Sequence, residues 1–235
     1  MTRAKIFLSP GFIWHITDRC HNQDFLLKFK RDRKNWTLWL FKAKKKYGIV
    51  ILNYIVTSNH IHLLVYNDGR RDIISRSMLV VASRTAIEYN KRKNRSGAFW
   101  EDNYHATAVD TGKHFLECLL YIDLNMVRAG VVQHPKDWPM SGYNEIMGEQ
   151  RRRYRLINTT KLMEMLGFYD LADLRDKYKS WIQEKLTMGR LEREEKWTEA
   201  IAVGNREFVE NFQTKTGNKL HHKIYEDDEG SFFLK

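Results

Sequence analysis

The sequence has little of what disulfide-bonded or membrane proteins need. Among its 235 residues there are only two cysteines, Cys20 and Cys118, and they are far apart. Two isolated cysteines support neither a disulfide framework nor a zinc module. No apolar run approaches the roughly 18 to 20 residues of a membrane-spanning helix, and the first residues lack the long apolar core of a secretory signal. We therefore expect a cytoplasmic protein without a membrane partner.

Acidic residues are in the minority. The 29 aspartates and glutamates face 40 lysines and arginines, which leaves a formal net charge of +11. Lysine and arginine side chains that neutralise phosphates release condensed counterions, so a basic chain favours a polyanionic partner. Nucleic acid, and with it association with the nucleoid, is the expected consequence. The hydrophobic content of 43% is enough to bury a core and argues against disorder.

The apolar periodicity predicts an α+β fold. Strand-like and helix-like segments follow one another in the order strand, helix, hairpin, helix, strand, helix. This order implies an antiparallel sheet with packed helices. The predicted segments are a strand at 12–17, a helix from 24 to about 46, hairpin strands at 49–56 and 60–66, a helix from 72 to about 93, a strand at 104–109 and a helix ending before Gly130.

The composition predicts three regions along the chain. Residues 1–148 hold the α+β domain, residues 149–220 form a C-terminal helical region of unknown role, and residues 221–235 form a loosely held tail. Glycines separate the helices predicted in the second region. These helices are expected at 159–166, 171–186, 192–203 and 206–216.

A His-x-His element closes the predicted hairpin. In His60-Ile61-His62, strand alternation puts both imidazoles on one face and Ile61 on the other. The two rings can therefore share one ion, and an amide oxygen with waters would complete a site for Mg²⁺ or Mn²⁺. In many strands, however, two histidines at this spacing are simply half-exposed surface residues. His105, near the start of the strand predicted at 104–109, could lie near this site, but an ordinary hydrogen-bonded role is favoured.

Tyr121 and Asn125 follow on the last predicted helix of the domain. They are four residues apart, so both side chains project from one helix face. A tyrosine beside a metal-holding amide can attack a phosphodiester and form a covalent phosphotyrosine. Composition alone favours the alternative in which Tyr121 packs its ring on the sheet.

Four ordered motifs together resemble a known family. The chain is similar to the single-tyrosine HUH transposases, and among them to the REP-associated tyrosine transposases, over roughly residues 8–147. The sequence departs from many relatives at Met126, where they carry proline, and in running well past the catalytic domain. The motifs are NHIH at 59–62, FWE at 99–101, YIDLNMVRAG at 121–130 and DWPMSGY at 137–143.

The resemblance implies a ferredoxin-like HUH endonuclease fold and a metal-dependent reaction on single-stranded DNA at hairpin-forming palindromic repeats. His60, His62 and Asn125 would bind Mg²⁺ or Mn²⁺. Tyr121 would form a 5′-phosphotyrosine and release a 3′-hydroxyl. Relatives include dimers and monomers, so a homodimer stays open. The expected phosphate contacts, each with a surface role as its alternative, are Arg84, Lys91, Arg92, Arg95 and Arg128.

Two other functions remain open at this stage. The chain could recognise repetitive palindromes without cutting them, or it could be a metal-dependent nuclease that uses water while Tyr121 is structural. A covalent protein–DNA adduct that depends on Tyr121 would distinguish strand cleavage by the tyrosine from both of these alternatives.

Overall fold

A computed structural model describes residues 8–69, 72–148, 154–189, 191–216 and 222–235. The strands within these ranges are β1 (Ile13–Arg19), β2 (Val50–Val56), β3 (His60–Tyr66), β4 (His105–Val109), β5 (Ala202–Gly204), β6 (Ile224–Glu226) and β7 (Phe232–Leu234). The α-helices are α1 (Lys30–Tyr47), α2 (Ile73–Lys93), α3 (Lys113–Asp123), α4 (Asn125–Arg128), α5 (Tyr143–Met147), α6 (Thr159–Leu166), α7 (Leu171–Met188), α8 (Lys196–Glu199) and α9 (Arg206–Thr216). None of these helices is both long and apolar enough to cross a membrane.

All the strands join one sheet in the order β2-β3-β1-β4-β5-β7-β6. Neighbours are antiparallel except β4 and β5, which are parallel. The predicted α+β fold with an antiparallel sheet and packed helices is therefore confirmed, with one parallel pair. The four strands of the N-terminal region form one half of the sheet, and the C-terminal strands extend it.

The central strands separate two kinds of side chain. In the register of β1 with β3, Thr17 lies opposite His62 and Ile16 lies opposite Leu63. Because successive side chains alternate between faces, His15, Thr17 and His62 share one face while Ile16 and Leu63 share the other. Ile16 and Leu63 are fully buried. One face of the sheet is thus apolar and the other carries the histidines.

Helices α1 and α2 connect parallel strands of the sheet, β1 to β2 and β3 to β4. Right-handed crossovers place both helices on the same face. They pack against each other, and Arg92 of α2 forms an ion pair with the buried carboxylate of Asp32 on α1. Ser75 of α2 contacts Tyr104 at the start of β4. The two helices cover the apolar face and leave the histidine face to α3 and the C-terminal region.

Several predicted boundaries agree with the structure. Strand β3 and helices α6 and α9 have the predicted bounds. Helix α1 begins at Lys30 rather than at residue 24, because residues 24–28 form short turns in which Asp24 and Phe25 carbonyls accept from Leu26 and Lys28. The single helix predicted to carry Tyr121 and Asn125 is divided at Leu124 into α3 and α4. The Leu124 amide still donates to the Leu120 carbonyl, so the two pieces remain nearly continuous.

The C-terminal part differs from the prediction. The helix expected at 192–203 is reduced to α8, and β5 follows it; β5 pairs with β4 through Ala108 and Ala202. The tail that was expected to be loosely held instead contains β6 and β7, which extend the edge of the same sheet beyond β5. A strand of three residues has no periodic signal of its own, so its partner strand decides its structure. The boundary at 148/149 and the start of the tail at 221 touch residues outside the described ranges, and the division into domains stays a prediction.

Candidate active site

His62 is the centre of a buried polar cluster on the histidine face. Its Nε2 lies 3.0 Å from Nδ2 of Asn125 at the start of α4. Its Nδ1 lies 2.9 Å from Nε2 of His15 on β1. The Asn125 carboxamide also faces the His60 ring, whose pKa it raises. The strand and the helix predicted to meet therefore do meet, and one carboxamide faces both imidazoles of the His-x-His element.

His60 is held by the turn that precedes its strand. Its Nδ1 lies 3.0 Å from the Thr57 hydroxyl and 2.8 Å from the Asn59 side-chain oxygen. The Thr57 hydroxyl also donates to the His60 carbonyl. The Thr57-Ser58-Asn59 turn thus fixes the His60 ring, whose centroid lies 5.1 Å from that of His62.

The buried surroundings keep these imidazoles neutral. Burial, and after it the nearby Arg19 guanidinium, lowers the pKa of His60 to about 4. Burial, followed by the neighbouring His15 and His60 rings, lowers the pKa of His62 well below its ordinary value. The pKa of His15 is lowered to about 3, again chiefly by burial and then by His105. A neutral ring keeps a lone pair, which is the form that binds a metal ion.

Tyr121 lies beside this cluster and is 5% exposed. Its ring centroid lies 5.8 Å from that of His62 and 6.0 Å from that of Trp197 on α8. The Arg128 guanidinium carbon lies 4.0 Å from the centroid of the tyrosine ring, and the guanidinium donates to the Tyr121 carbonyl at 3.3 Å. Burial raises the pKa of Tyr121, whereas the charge of Arg128 lowers it. Arg128 is thus the cation placed to favour a tyrosinate.

A second buried network ties α3 to the C-terminal region. The Tyr178 hydroxyl of α7 donates to Asp123 at 2.6 Å, and Asn53 Nδ2 of β2 donates to the same carboxylate at 3.1 Å. Asp123 comes two residues after Tyr121 on α3. Burial raises the pKa of Asp123 to about 7, against the lowering effect of its two donors. Helix α7 therefore contacts the helix that carries the candidate nucleophile.

The predicted phosphate contacts fall into two groups. Arg84 and Lys91 are exposed along α2, Arg92 on the same helix is paired with Asp32, and Arg95 follows just after the helix. Arg84 lies over the Trp39 ring of α1 at 5.4 Å. Arg128 is separate from this group, because it is half-buried against Tyr121.

Three residues of the site were not predicted from the sequence. His15 and Trp197 contact the cluster from β1 and α8, and Tyr178 reaches α3 from α7. A histidine inside an otherwise apolar strand was the one available signal for His15. His105 was expected to be hydrogen-bonded, and its Nε2 lies 2.9 Å from the Ala200 carbonyl oxygen.

The donor set fits a divalent ion of borderline hardness. Across the described part of the chain, no three side chains of the types His, Cys, Asp and Glu are grouped to hold a metal. The set at this site is two neutral imidazoles and one carboxamide, whose oxygen and nitrogen exchange places by rotation. Such a set leaves coordination positions for phosphate oxygens or water. His60, His62 and Asn125 are the residues that could hold the ion.

Comparisons with known proteins bear on the family and the fold of the chain. The family model described as "Transposase IS200 like" matches residues 11–124, which include β1 to β4 and all of α3. A structure of a REP-associated tyrosine transposase bound to a REP hairpin is similar over 66% of this chain and 90% of its own. Its identity to this chain is 18%, with a TM-score of 0.54.

A weaker likeness links the chain to a candidate transposase from Deinococcus radiodurans R1. It covers 56% of this chain and 98% of the other, with 11% identity and a TM-score of 0.35. No curated protein matches the sequence.

Proposed function

We propose that this chain, whose residues 11–124 match the model of the IS200-like transposases, is a metal-dependent DNA strand transferase. Its substrate is single-stranded DNA at hairpin-forming palindromic repeats. The observation that carries the proposal is the meeting of His60, His62 and Asn125 beside Tyr121, on elements far apart in the chain. The similar structure bound to a REP hairpin supports the choice of a hairpin substrate. DNA is the partner that the proposal requires; a homodimer and a nucleoid location stay predictions.

The reaction follows from the chemistry of the tyrosine. The Tyr121 oxygen attacks the phosphorus of a phosphodiester, a 5′-phosphotyrosine bond forms, and the bond to the 3′-oxygen breaks. The phenolic proton ends on the released 3′-hydroxyl, so no water is consumed. The phosphotyrosine keeps the bond energy, and a 3′-hydroxyl can attack it to rejoin the strand. Arg128 stabilises the tyrosinate by its charge at 4.0 Å from the ring centroid.

The bound ion, Mg²⁺ or Mn²⁺, would polarise the phosphate and stabilise charge on its oxygens. His60 and His62 would offer neutral ring nitrogens to it, and Asn125 its amide oxygen. Each is held by neighbouring structure, His60 by Thr57 and His62 by His15. Ligands fixed in this way need little rearrangement when the ion binds.

The experiment is a search for a covalent adduct. Wild-type protein, Tyr121→Phe and Tyr169→Phe are incubated with a single-stranded hairpin labelled at its 3′ end and with Mn²⁺ or Mg²⁺. A labelled adduct that survives denaturing electrophoresis is expected for wild type and for Tyr169→Phe, whose tyrosine is fully exposed. Tyr121→Phe should give none. Cleavage by Tyr121→Phe at the wild-type rate would contradict the proposal and favour a nuclease that uses water.

A second candidate, a protein that binds hairpin DNA without cutting it, is favoured by one observation. Tyr121 is 5% exposed, packed between His62 and Trp197. Little of this side chain is exposed for a DNA strand to contact. Tight hairpin binding by the wild type, with no adduct in either metal, would establish this second function.

A further inference from the structure

His15 has no place in the motif-based site, yet it contacts the central imidazole. It lies inside β1, is fully buried, and its Nε2 is 2.9 Å from Nδ1 of His62. The two rings are nearly parallel, with an interplanar angle of 14°. The other nitrogen of His62, Nε2, faces Asn125 at 3.0 Å. Both nitrogens of His62 are thus engaged, one by a proposed ligand and one by His15.

The identity of the partners constrains where the proton of His62 lies. A neutral imidazole has one N–H donor and one lone pair, so its two nitrogens have opposite roles. With Nδ2 of the Asn125 carboxamide turned towards His62, as the structure has it, its N–H donates to Nε2 of His62, and that nitrogen presents its lone pair. Nδ1 of His62 then carries the hydrogen and donates it to Nε2 of His15. Residues that accept from the second nitrogen of a ligating histidine fix both its tautomer and its orientation.

The sheet holds this acceptor rigidly. Strand β1 is hydrogen-bonded to β3 on one side and to β4 on the other, with Thr17 opposite His62 and His15 opposite Leu64. A side chain in the middle of a central strand has little freedom to shift. The distance between His15 and His62 is therefore set by the strand pairing and not by a mobile loop.

We propose that His15 is a positioning residue, whose Nε2 accepts the hydrogen of His62 Nδ1 and so keeps the lone pair of His62 Nε2 aimed at Asn125 and the ion. This inference rests on the proposed function, because it assumes that His62 is a metal ligand. It adds a residue from β1 to a site otherwise built from β3, α3 and α4.

Two substitutions separate positioning from space filling. His15→Phe keeps an aromatic ring of similar size and removes the acceptor, whereas His15→Gln keeps an acceptor on a flexible side chain. His114→Phe is the matched control, since His114 is another buried histidine and its ring faces Asp110 on the N-terminal side of α3. Thermal unfolding of each variant shows whether the fold is retained.

The first readout is Mn²⁺ affinity measured by calorimetry without DNA. His15→Phe should bind Mn²⁺ about 10- to 100-fold more weakly, His15→Gln should recover most of the loss, and His114→Phe should bind like wild type. Wild-type affinity in a folded His15→Phe would overturn the proposal. Wild-type protein that binds no Mn²⁺ would overturn both this proposal and the metal assignment, whereas a missing DNA adduct with normal Mn²⁺ binding would contradict only the proposed function.

The second readout is made on the wild-type protein, and a variant serves only to assign the signal. Nitrogen-15 NMR of the metal-free wild type distinguishes the two tautomers of His62, with the signal assigned through a His62→Gln variant. The proposal expects the hydrogen on Nδ1. A wild-type His62 with its hydrogen on Nε2 would overturn it, whatever the variants do.

Discussion

The two faces of the central strands differ in what holds them together. On one face, Ile16 and Leu63 are fully buried among apolar neighbours and covered by α1 and α2. On the other, His15 and His62 are equally buried but hydrogen-bonded to each other, and Asn125 bonds His62 from α4. The same strands therefore carry a packing surface and a chemical surface, separated only by the alternation of side chains.

The difference shows which face tolerates change. Apolar side chains of similar volume can replace one another in a core at modest cost. A buried imidazole has specific donors and acceptors to satisfy, and its neighbours are left unpaired when it is lost. We expect changes on the apolar face to alter stability, and changes on the histidine face to alter metal binding and activity.

The largest effect is expected on the histidine face, from His60→Ala. Losing one imidazole ligand should weaken metal binding and remove at least about 3 kcal/mol of transition-state stabilisation, a rate loss of about a hundredfold or more. Hairpin affinity should change little, because the basic surface supplies most of it. Single-turnover cleavage and hairpin binding are measured on the same preparation. Wild-type cleavage that is equal with and without a chelator would refute the metal assignment.

On the apolar face, Trp36→Ala should act on stability. Trp36 of α1 is fully buried, and truncating a buried tryptophan to alanine costs about 3–5 kcal/mol. Urea unfolding should show this loss, while Mn²⁺ affinity of the folded variant stays near the wild-type value. A Trp36→Ala protein with normal stability but weak Mn²⁺ binding would contradict the expected difference between the two faces.

The pH dependence of stability tests the apolar face through Asp18, a buried carboxyl on the same face of the sheet as Ile16 and Leu63. Burial raises its pKa from 3.8 to about 8, against a lowering contribution from the Arg19 backbone. Its neighbours Cys20 and Tyr104 have raised pKa values, Cys20 to about 12, so they stay neutral in this range.

A pKa raised in the folded state means that the stability from Asp18 is complete below pH 4 and is lost as the pH rises through about 8. Between about pH 4 and pH 8, the free energy of unfolding of Asp18→Asn should fall less steeply with pH than that of wild type. The two slopes should differ by at most about 1.4 kcal/mol per pH unit. Asp228→Asn, which removes an exposed carboxyl, should leave the slope unchanged. An identical slope for wild type and Asp18→Asn would show that the carboxyl is ionised in the folded protein.

The smallest effect is expected outside both faces, on α2. Arg84→Gln and Lys91→Gln each remove one exposed cation. If each contacts a phosphate of a single strand, the slope of log affinity against log salt should fall by about 0.7 per variant. Lys179→Gln on α7, also exposed, is the control. If the salt slopes of Arg84→Gln and Lys91→Gln equal that of Lys179→Gln, these two α2 residues do not contact phosphates.

The elements with local signals could be predicted in both halves of the chain. The alternation of His60 to Tyr66 gave β3 its bounds, and the helical spacing in 206–216 gave those of α9. The region 192–203 was mispredicted as a helix, because its apolar residues fit a helical period and its strand partner β4 lies about a hundred residues earlier. The break at Leu124 was missed because Tyr121 to Arg128 are all compatible with a continuous helix.

The sequence by itself determined the fold class, the basic charge and the common face of His60 and His62, since these depend on composition and on a period of two residues. Only the tertiary structure decided that His15 bonds His62, that Trp197 packs on Tyr121, and that the C-terminal strands extend the sheet. The His15–His62, Tyr121–Trp197 and β4–β5 contacts join residues at least 47 positions apart. Contacts of that range leave no periodic trace along the chain, because packing and strand pairing, not local spacing, bring the residues together.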